Sequence, residues 1–67
     1  MTVAKVTEIT ASSPDGFEDA IRTGLARASR TIENIQGAWV NEQTVVVHDG
    51  VVKEYRVNMK VTFVLKD

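Results

Sequence analysis

The clearest hydrophobic pattern in this sequence lies near its C-terminal end, in residues 55–65. Apolar side chains occupy every second position there, and mostly polar or charged side chains fill the positions between them. The apolar positions are Tyr55, Val57, Met59, Val61, Phe63 and Leu65. This alternation predicts a β-strand in a sheet that buries one face and leaves the other face uncovered.

An Asp-Gly pair at residues 49–50 predicts a tight hairpin turn between this strand and a preceding one. We predict that the preceding strand has about 10 residues and the last strand about 14. A turn centred on the pair fixes the register between the two strands. The predicted pairs are His48 with Val51, Val46 with Lys53, Val40 with Met59 and Trp39 with Lys60.

A different spacing of apolar residues, in steps of three and four, follows the first part of the chain. It predicts one long helix from about Pro14 to about Ile35, with Ser13 as the N-cap and Pro14 in the first turn. The apolar stripe of this helix consists of Phe17, Ala20, Ile21, Leu25, Ala28, Ile32 and Ile35. At 1.5 Å per residue such a helix is about 33 Å long.

Residues 3–10 mix β-branched and charged side chains, which favours a further strand. The chain therefore has the order β-α-β-β, and we predict an α+β fold with a three-stranded antiparallel sheet wrapped around one long helix. We expect a single domain over residues 1–67. In the predicted core, Phe17, Ile21, Leu25, Ala28 and Ile32 pack on Val40, Val57, Met59, Val61 and Phe63.

The predicted register places the single tryptophan, Trp39, on the sheet face that points away from the helix. We expect this face to carry Gly37, Asn41, Gln43, Arg56, Asn58 and Lys60, together with Val45 and Val64. A monomer with such long strands would leave open edges and large apolar side chains exposed to water. The pattern therefore favours assembly with further copies of the chain.

Composition narrows the kinds of site that this chain can form. Its 67 residues include no cysteine and one histidine, which excludes disulfides, thiolate metal sites and histidine-rich metal clusters. The net charge of −1 comes without a basic stripe, and no apolar run reaches the ~20 residues of a membrane span, so we expect neither nucleic-acid nor membrane partners. No signal peptide is visible, which favours the cytoplasm. No acid, base and nucleophile set is visible, so we expect no catalysis.

Four segments together resemble the dodecin family, and the resemblance spans nearly all of the chain. They are K-V-T-E-I at 5–9, S-S-P-D-G-F-E-D-A-I at 12–21, L-A-R-A-S-R-T-I at 25–32, and D-G-V-V-K-E-Y-R-V-N-M-K-V-T-F at 49–63. The resemblance implies a β-α-β-β protomer in a hollow homododecamer of 23 symmetry. It also implies binding of riboflavin or FMN as stacked pairs, for storage and protection from light rather than for catalysis.

This sequence departs from the family pattern at both signature flavin contacts. Aligned without gaps, the tryptophan on which the family stacks the flavin ring falls at Gly37, and a glutamate of the family falls at Trp39. The glutamine that the family uses to bind the polar edge of the ring falls at Arg56. The resemblance therefore makes Gly37, Trp39 and Arg56 the candidate cofactor-binding residues.

The sequence is compatible with two roles for each of the side chains of Trp39 and Arg56. Trp39 is either packing in a subunit interface or a displaced platform for the flavin ring. Arg56 either forms an ion pair, for example with Glu54, or donates to flavin carbonyls or to a phosphate. We expect retained but weakened flavin binding. The alternative is a flavin-free cage with a structural, ion-binding or other small-molecule role.

Overall fold

The computed structural model describes residues 2–65, and in these residues it contains three strands and one helix. The elements are β1 (Ala4–Ser13), α1 (Phe17–Ala28), β2 (Ile35–His48) and β3 (Val51–Val64). The sheet is antiparallel with the order β1-β3-β2, so the last strand lies in the middle. The predicted fold class and element order are confirmed. In the part of the chain that the structure describes, no helix is long and apolar enough to cross a membrane.

The alternating pattern of β3 translates directly into burial. Val57, Met59 and Val61 have no exposed surface at all, and they point toward α1. The residues between them, Asn58 and Lys60, remain partly exposed on the other side of the sheet. The central position of β3 explains this contrast, because α1 covers one face of the strand while its two edges pair with β1 and β2.

The core combines the predicted helix face with a contribution from β1 that the sequence did not indicate. Its buried centre consists of Ala20, Val57 and Met59, surrounded by Ile9, Ala11, Phe17, Ile21 and Leu25. The prediction that Val40 belongs to this core is wrong, because α1 packs on β1 and β3 rather than on β2. Val40 consequently keeps 39% of its surface exposed.

The helix is much shorter than predicted, with 12 residues from Phe17 to Ala28. After Ala28 the backbone closes tight turns, in which the N–H groups of Arg30 and Thr31 donate to the carbonyls three residues earlier. The hydroxyl of Ser29 also donates to a backbone carbonyl, a bond that competes with continued helix. Asn34 then adopts a left-handed φ of 61° and β2 begins at Ile35. Ile32 and Ile35 therefore lie outside the helix, although their spacing fitted its stripe.

The helix also begins later than predicted, because Ser13 belongs to β1 and not to the helix cap. Ser13 pairs with Tyr55 in the sheet, and its buried hydroxyl accepts from the N–H of Asp15 at 3.0 Å and donates to Asp19 at 2.6 Å. The residue that precedes the helix is Gly16, whose φ of 149° favours glycine. The Ser-Pro-Asp-Gly segment is thus a strand-to-helix turn.

The hairpin turn has the predicted position and geometry. Asp49 and Gly50 both have positive φ, 50° and 75°, as the tight turns that favour Asp-Gly require. The predicted pairs of His48 with Val51, Trp39 with Lys60 and Val40 with Met59 are confirmed.

Between these points the register slips by one residue. Irregularities occur between Val40 and Glu42 and between Val46 and Val47, which are β-bulges. As a result Val46 pairs with Glu54 and not with Lys53. Two further predictions are wrong for the same reason. Gln43 and Val45 lie opposite Val57 and Tyr55, so they share the helix side of the sheet and not the side of Trp39.

Candidate functional site

We call the sheet surface that points away from α1 the open face. It is defined by the side chains of β3 that alternate with the buried ones and by their partners in the neighbouring strands. The members that concern the site are Glu8, Thr10, Gly37, Trp39, Asn41, Glu42, Arg56, Asn58 and Lys60. All three predicted site residues belong to it.

Trp39 presents a largely free aromatic ring on the open face. The side chain is 66% exposed, and it faces away from the helix as predicted. Its cross-strand partner Lys60 places its Nζ atom 5.3 Å from the centroid of the ring. This is a cation–π contact, which holds the ring in place by attraction to one of its faces. Among the described residues, the hydrophobic core cluster does not include this ring.

Gly37 leaves open space next to that ring. A Cβ atom added at this position would meet no heavy atom within 4 Å. Gly37 pairs with Thr62, and Trp39 pairs with Lys60, so both residues belong to the same face. Alternate residues of a strand lie about 6.6 Å apart. The structure therefore brings an exposed aromatic ring and an empty neighbouring position together.

Arg56 shares the open face but does not lie beside Trp39. It pairs with Thr44, and it is separated by four residues of β3, or about 13 Å, from Lys60. Its Nε atom is 3.7 Å from a carboxylate oxygen of Glu54, which confirms the ion pair that the sequence suggested for this side chain. Both side chains are about half exposed, so the guanidinium keeps donors available to a ligand.

A row of hydrogen-bonded polar side chains crosses all three strands next to Trp39. Asn41 donates from Nδ2 to Asn58 Oδ1 at 3.0 Å, and Asn58 donates from its own Nδ2 to Glu8 at 3.0 Å and to Thr10 at 3.1 Å. Sequence reasoning treated Asn41 and Asn58 as general surface residues and did not connect them with Glu8. The only signal that could have linked them is the β1–β3 pairing, which joins residues 50 positions apart.

The remaining polar candidates do not join this group. His48 is exposed in the hairpin, with its Nε2 atom 3.5 Å from a carboxylate oxygen of Asp49. Across residues 2–65, no three or more histidine, cysteine, aspartate or glutamate side chains lie together as a metal site would require. A separate open groove of about 310 Å³ lies between β1 and α1, next to Ala11 and Gly24, and contains none of the predicted site residues.

The Dodecin family model matches residues 3–66 of this chain. The chain belongs to the dodecin family. A dodecin from Thermus thermophilus is 35% identical over 65 residues, which cover 97% of this chain and 94% of the relative. The calcium dodecin of Mycobacterium tuberculosis is 32% identical over 66 residues, which cover 98% of this chain and 93% of the relative. These matches confirm the resemblance stated from the sequence segments.

The fold agrees with solved dodecin structures along nearly the whole length of the chain. Superposition on the dodecin from Streptomyces davaonensis gives a TM-score of 0.95 at 38% identity, covering 98% of this chain and 97% of that one. The dodecin from Streptomyces coelicolor gives 0.94 at 32% identity, covering 98% and 94% of the two chains. This dodecin therefore has the family fold.

The side chains on the open face fit a planar heterocycle with a polar edge. The ring of Trp39 offers an apolar surface, and Gly37 leaves room beside it. Lys60 and Arg56 provide N–H donors, while the amide of Asn41 offers both a donor and an acceptor. A flavin has this combination of a flat ring system and hydrogen-bonding groups along one edge. The residues present are thus compatible with the cofactor that the family implies.

Proposed function

We propose that this dodecin binds a flavin, riboflavin or FMN, on the open face and stores it in a hollow homododecamer without catalysing a reaction. The observation that carries the proposal is the exposed ring of Trp39 beside the open space at Gly37. An aromatic ring that keeps 66% of its surface exposed gains much from a flat partner, since stacking buries apolar surface on both sides.

We expect the binding to be weaker than a dedicated stacking site would give. Lys60 already holds one face of the indole ring, so a ligand on that face must displace the ammonium group. Arg56 divides its donors between Glu54 and any ligand. Arginine also has no acceptor, so it cannot receive a hydrogen bond from an N–H group of the flavin ring. These contacts favour reversible storage over permanent attachment.

Titration of the protein into riboflavin or FMN, with flavin fluorescence as the readout, tests this proposal. We expect the wild-type protein to quench the fluorescence with a dissociation constant on the order of 10 μM. Trp39→Ala should abolish the quenching, because it removes the stacking surface. Trp39→Phe should retain part of it, since it keeps an aromatic face. Arg22→Ala, a change on the exposed helix surface, serves as the control and should quench like the wild type.

Absence of quenching by the wild-type protein would contradict flavin storage and favour the flavin-free cage. Unchanged quenching by Trp39→Ala would instead place the flavin elsewhere on the molecule. In the first case calcium is the ion to examine next, because the similar protein from Mycobacterium tuberculosis is named a calcium dodecin. Calorimetric titration with CaCl₂ would then measure that binding directly.

Assembly is proposed because the single chain leaves much of its apolar surface uncovered. The sheet extends beyond the short helix, and the β2–β3 hairpin carries five exposed aliphatic side chains. They are Val40, Val45, Val47, Val51 and Val52. Within residues 2–65, no further strand lies beside the outer edges of β1 and β2. Closed symmetry covers both kinds of surface at once, because it pairs or buries the edges that a monomer exposes.

Light scattering coupled to size-exclusion chromatography tests the assembly. We expect one species with about twelve times the 7.4 kDa mass of the chain at micromolar concentration. Val45→Glu and Val47→Glu together should shift the population to smaller species, because they place charges on the exposed apolar surface of the hairpin. A stable wild-type monomer or dimer would rule out the dodecamer.

A further inference from the structure

The hydrogen bonds of the polar row on the open face all run in one donor-to-acceptor direction, and Glu8 determines that direction. An ionised carboxylate can only accept hydrogen bonds, so the atom of Asn58 that approaches Glu8 must be the amide nitrogen. The same nitrogen also donates to the hydroxyl of Thr10. Both hydrogens of Nδ2 are therefore used toward β1, and Oδ1 of Asn58 must point toward β2.

The orientation of the Asn58 amide also determines the orientation of the Asn41 amide. Because Asn58 presents its carbonyl oxygen, Asn41 must present its own Nδ2 to it, at a distance of 3.0 Å. The carbonyl oxygen of Asn41 then faces away from the row, and within residues 2–65 it accepts no hydrogen bond. Asn41 also keeps one of its two Nδ2 hydrogens. An oriented acceptor and a donor are thus available on one amide.

The backbone around Asn41 explains why this amide stands out from the strand. Val40 pairs with Met59 and Glu42 pairs with Asn58, so Asn41 is the extra residue of a β-bulge. Bulges are frequent next to binding sites, where they redirect a side chain. In this chain the bulge directly follows Trp39, so the amide lies two residues from the exposed ring.

We propose that Asn41 recognises the imide edge of a flavin whose ring stacks on Trp39, with Oδ1 accepting from the imide N–H. This inference rests on the proposed function and names the residue that selects the ligand edge. An imide has an N–H group between two carbonyl groups. A protein site that binds it therefore needs one acceptor for the N–H and donors for the carbonyl oxygens. Lys60 and Arg56 cannot accept a hydrogen bond, and Asn58 has its groups engaged within the row. Glu8 lies two strands away from Trp39, about 9.6 Å across the sheet.

Glu42 is the competing acceptor, because its carboxylate lies on the same face one residue beyond Asn41. It takes part in no hydrogen bond in the described part of the chain, so nothing orients it toward Trp39. The two residues are distinguished by parallel variants, Asn41→Ala and Glu42→Gln. Asn41→Ala removes the oriented amide, and Glu42→Gln keeps the size of the side chain while removing its charge.

The experiment compares riboflavin with 3-methylriboflavin, in which a methyl group replaces the imide hydrogen. Dissociation constants for both are measured by fluorescence titration of the assembled protein. We expect the wild-type protein to bind riboflavin about tenfold more tightly than the methylated analogue, the usual effect of one hydrogen bond that is lost in a desolvated site. Asn41→Ala should reduce this preference to less than about twofold, whereas Glu42→Gln should leave it intact.

The outcomes separate this inference from the proposed function. If the wild-type protein binds neither compound, flavin storage itself is contradicted. If it binds both equally, storage stands and the role of Asn41 is overturned. Loss of the preference in Glu42→Gln, with retention in Asn41→Ala, would transfer the role to the carboxylate. Binding of 3-methylriboflavin by Asn41→Ala with wild-type affinity shows that stacking on Trp39 is intact in that variant.

Discussion

Met59→Ala is expected to lower the free energy of unfolding by about 2–5 kcal/mol, the range found when a large buried side chain is truncated to alanine. Met59 has no exposed surface and lies at the centre of the cluster formed with Ala20 and Val57. Truncation removes its contacts with α1 and leaves a cavity that β1 and β3 cannot close without losing their pairing. Denaturant unfolding followed by circular dichroism, at one protomer concentration, measures the change.

Met59→Leu is the matched control for this prediction. Leucine has nearly the same volume and no polar atom, so the loss should remain below about 1.5 kcal/mol. The protomer concentration must be the same for all variants, because assembly adds to the apparent stability. A change of less than about 0.5 kcal/mol for Met59→Ala, the range of surface substitutions, would contradict the assignment of Met59 to the core.

Gly24→Ala is expected to destabilise the protein by up to about 2 kcal/mol, although alanine is normally the better helix residue by about 1 kcal/mol. A Cβ atom at position 24 would lie 2.6 Å from Cβ of Ala11 and 3.2 Å from the terminal methyl group of Met59. Methionine can move its methyl group, but Ala11 is attached directly to β1. The helix and the strand must therefore separate, and such overpacking costs about 1–3 kcal/mol.

A double-mutant cycle with Ala11→Gly shows whether this clash is the cause. Removing the methyl group of Ala11 makes room for the new one, so Gly24→Ala should no longer destabilise the protein in the Ala11→Gly background. We expect a favourable coupling energy of about 1–3 kcal/mol between the two positions. Additive effects in the double variant would show that the close approach of α1 to β1 does not determine the stability.

Local sequence patterns predicted the second half of the fold well, because its two paired strands, β2 and β3, are consecutive in the sequence. The alternation of β3 and the Asp-Gly turn depend on neighbouring residues, and both were confirmed. The orientation of Trp39 followed from the same register. The slip at the two bulges was not predictable, because a bulge adds one residue without a distinctive pattern of side chains. It reversed the assigned faces of Gln43 and Val45.

The helix ends were wrong because spacing alone does not show where a periodic stripe stops. Ile32 and Ile35 continue the stripe in sequence, but Ser29 and Asn34 favour turns between them and the helix. At the other end, Ser13 had the chemistry of a cap and is instead the last residue of β1. Each case is a competition between local hydrogen bonds that the hydrophobic pattern cannot decide.

The sequence predicted only the part of the candidate site that lies on the β2–β3 hairpin. Gly37 and Trp39 were placed correctly on one face because β2 and β3 are consecutive. The orienting role of Glu8 was hidden, since it depends on pairing between the first and last strands. The gap beside Gly37 and the cation above the indole ring are distances, and no sequence pattern encodes them.

The sheet order also determines how this chain reaches its native state. The β2–β3 hairpin closes over a two-residue turn, so it can form within microseconds. Strand β1 must instead find β3 across more than forty intervening residues, which carries a larger loop-closure entropy. Ile9 and Ala11 complete the core only when this pairing is made. We therefore expect folding to begin at the hairpin, with the N-terminal strand docking last and completing the hydrophobic centre.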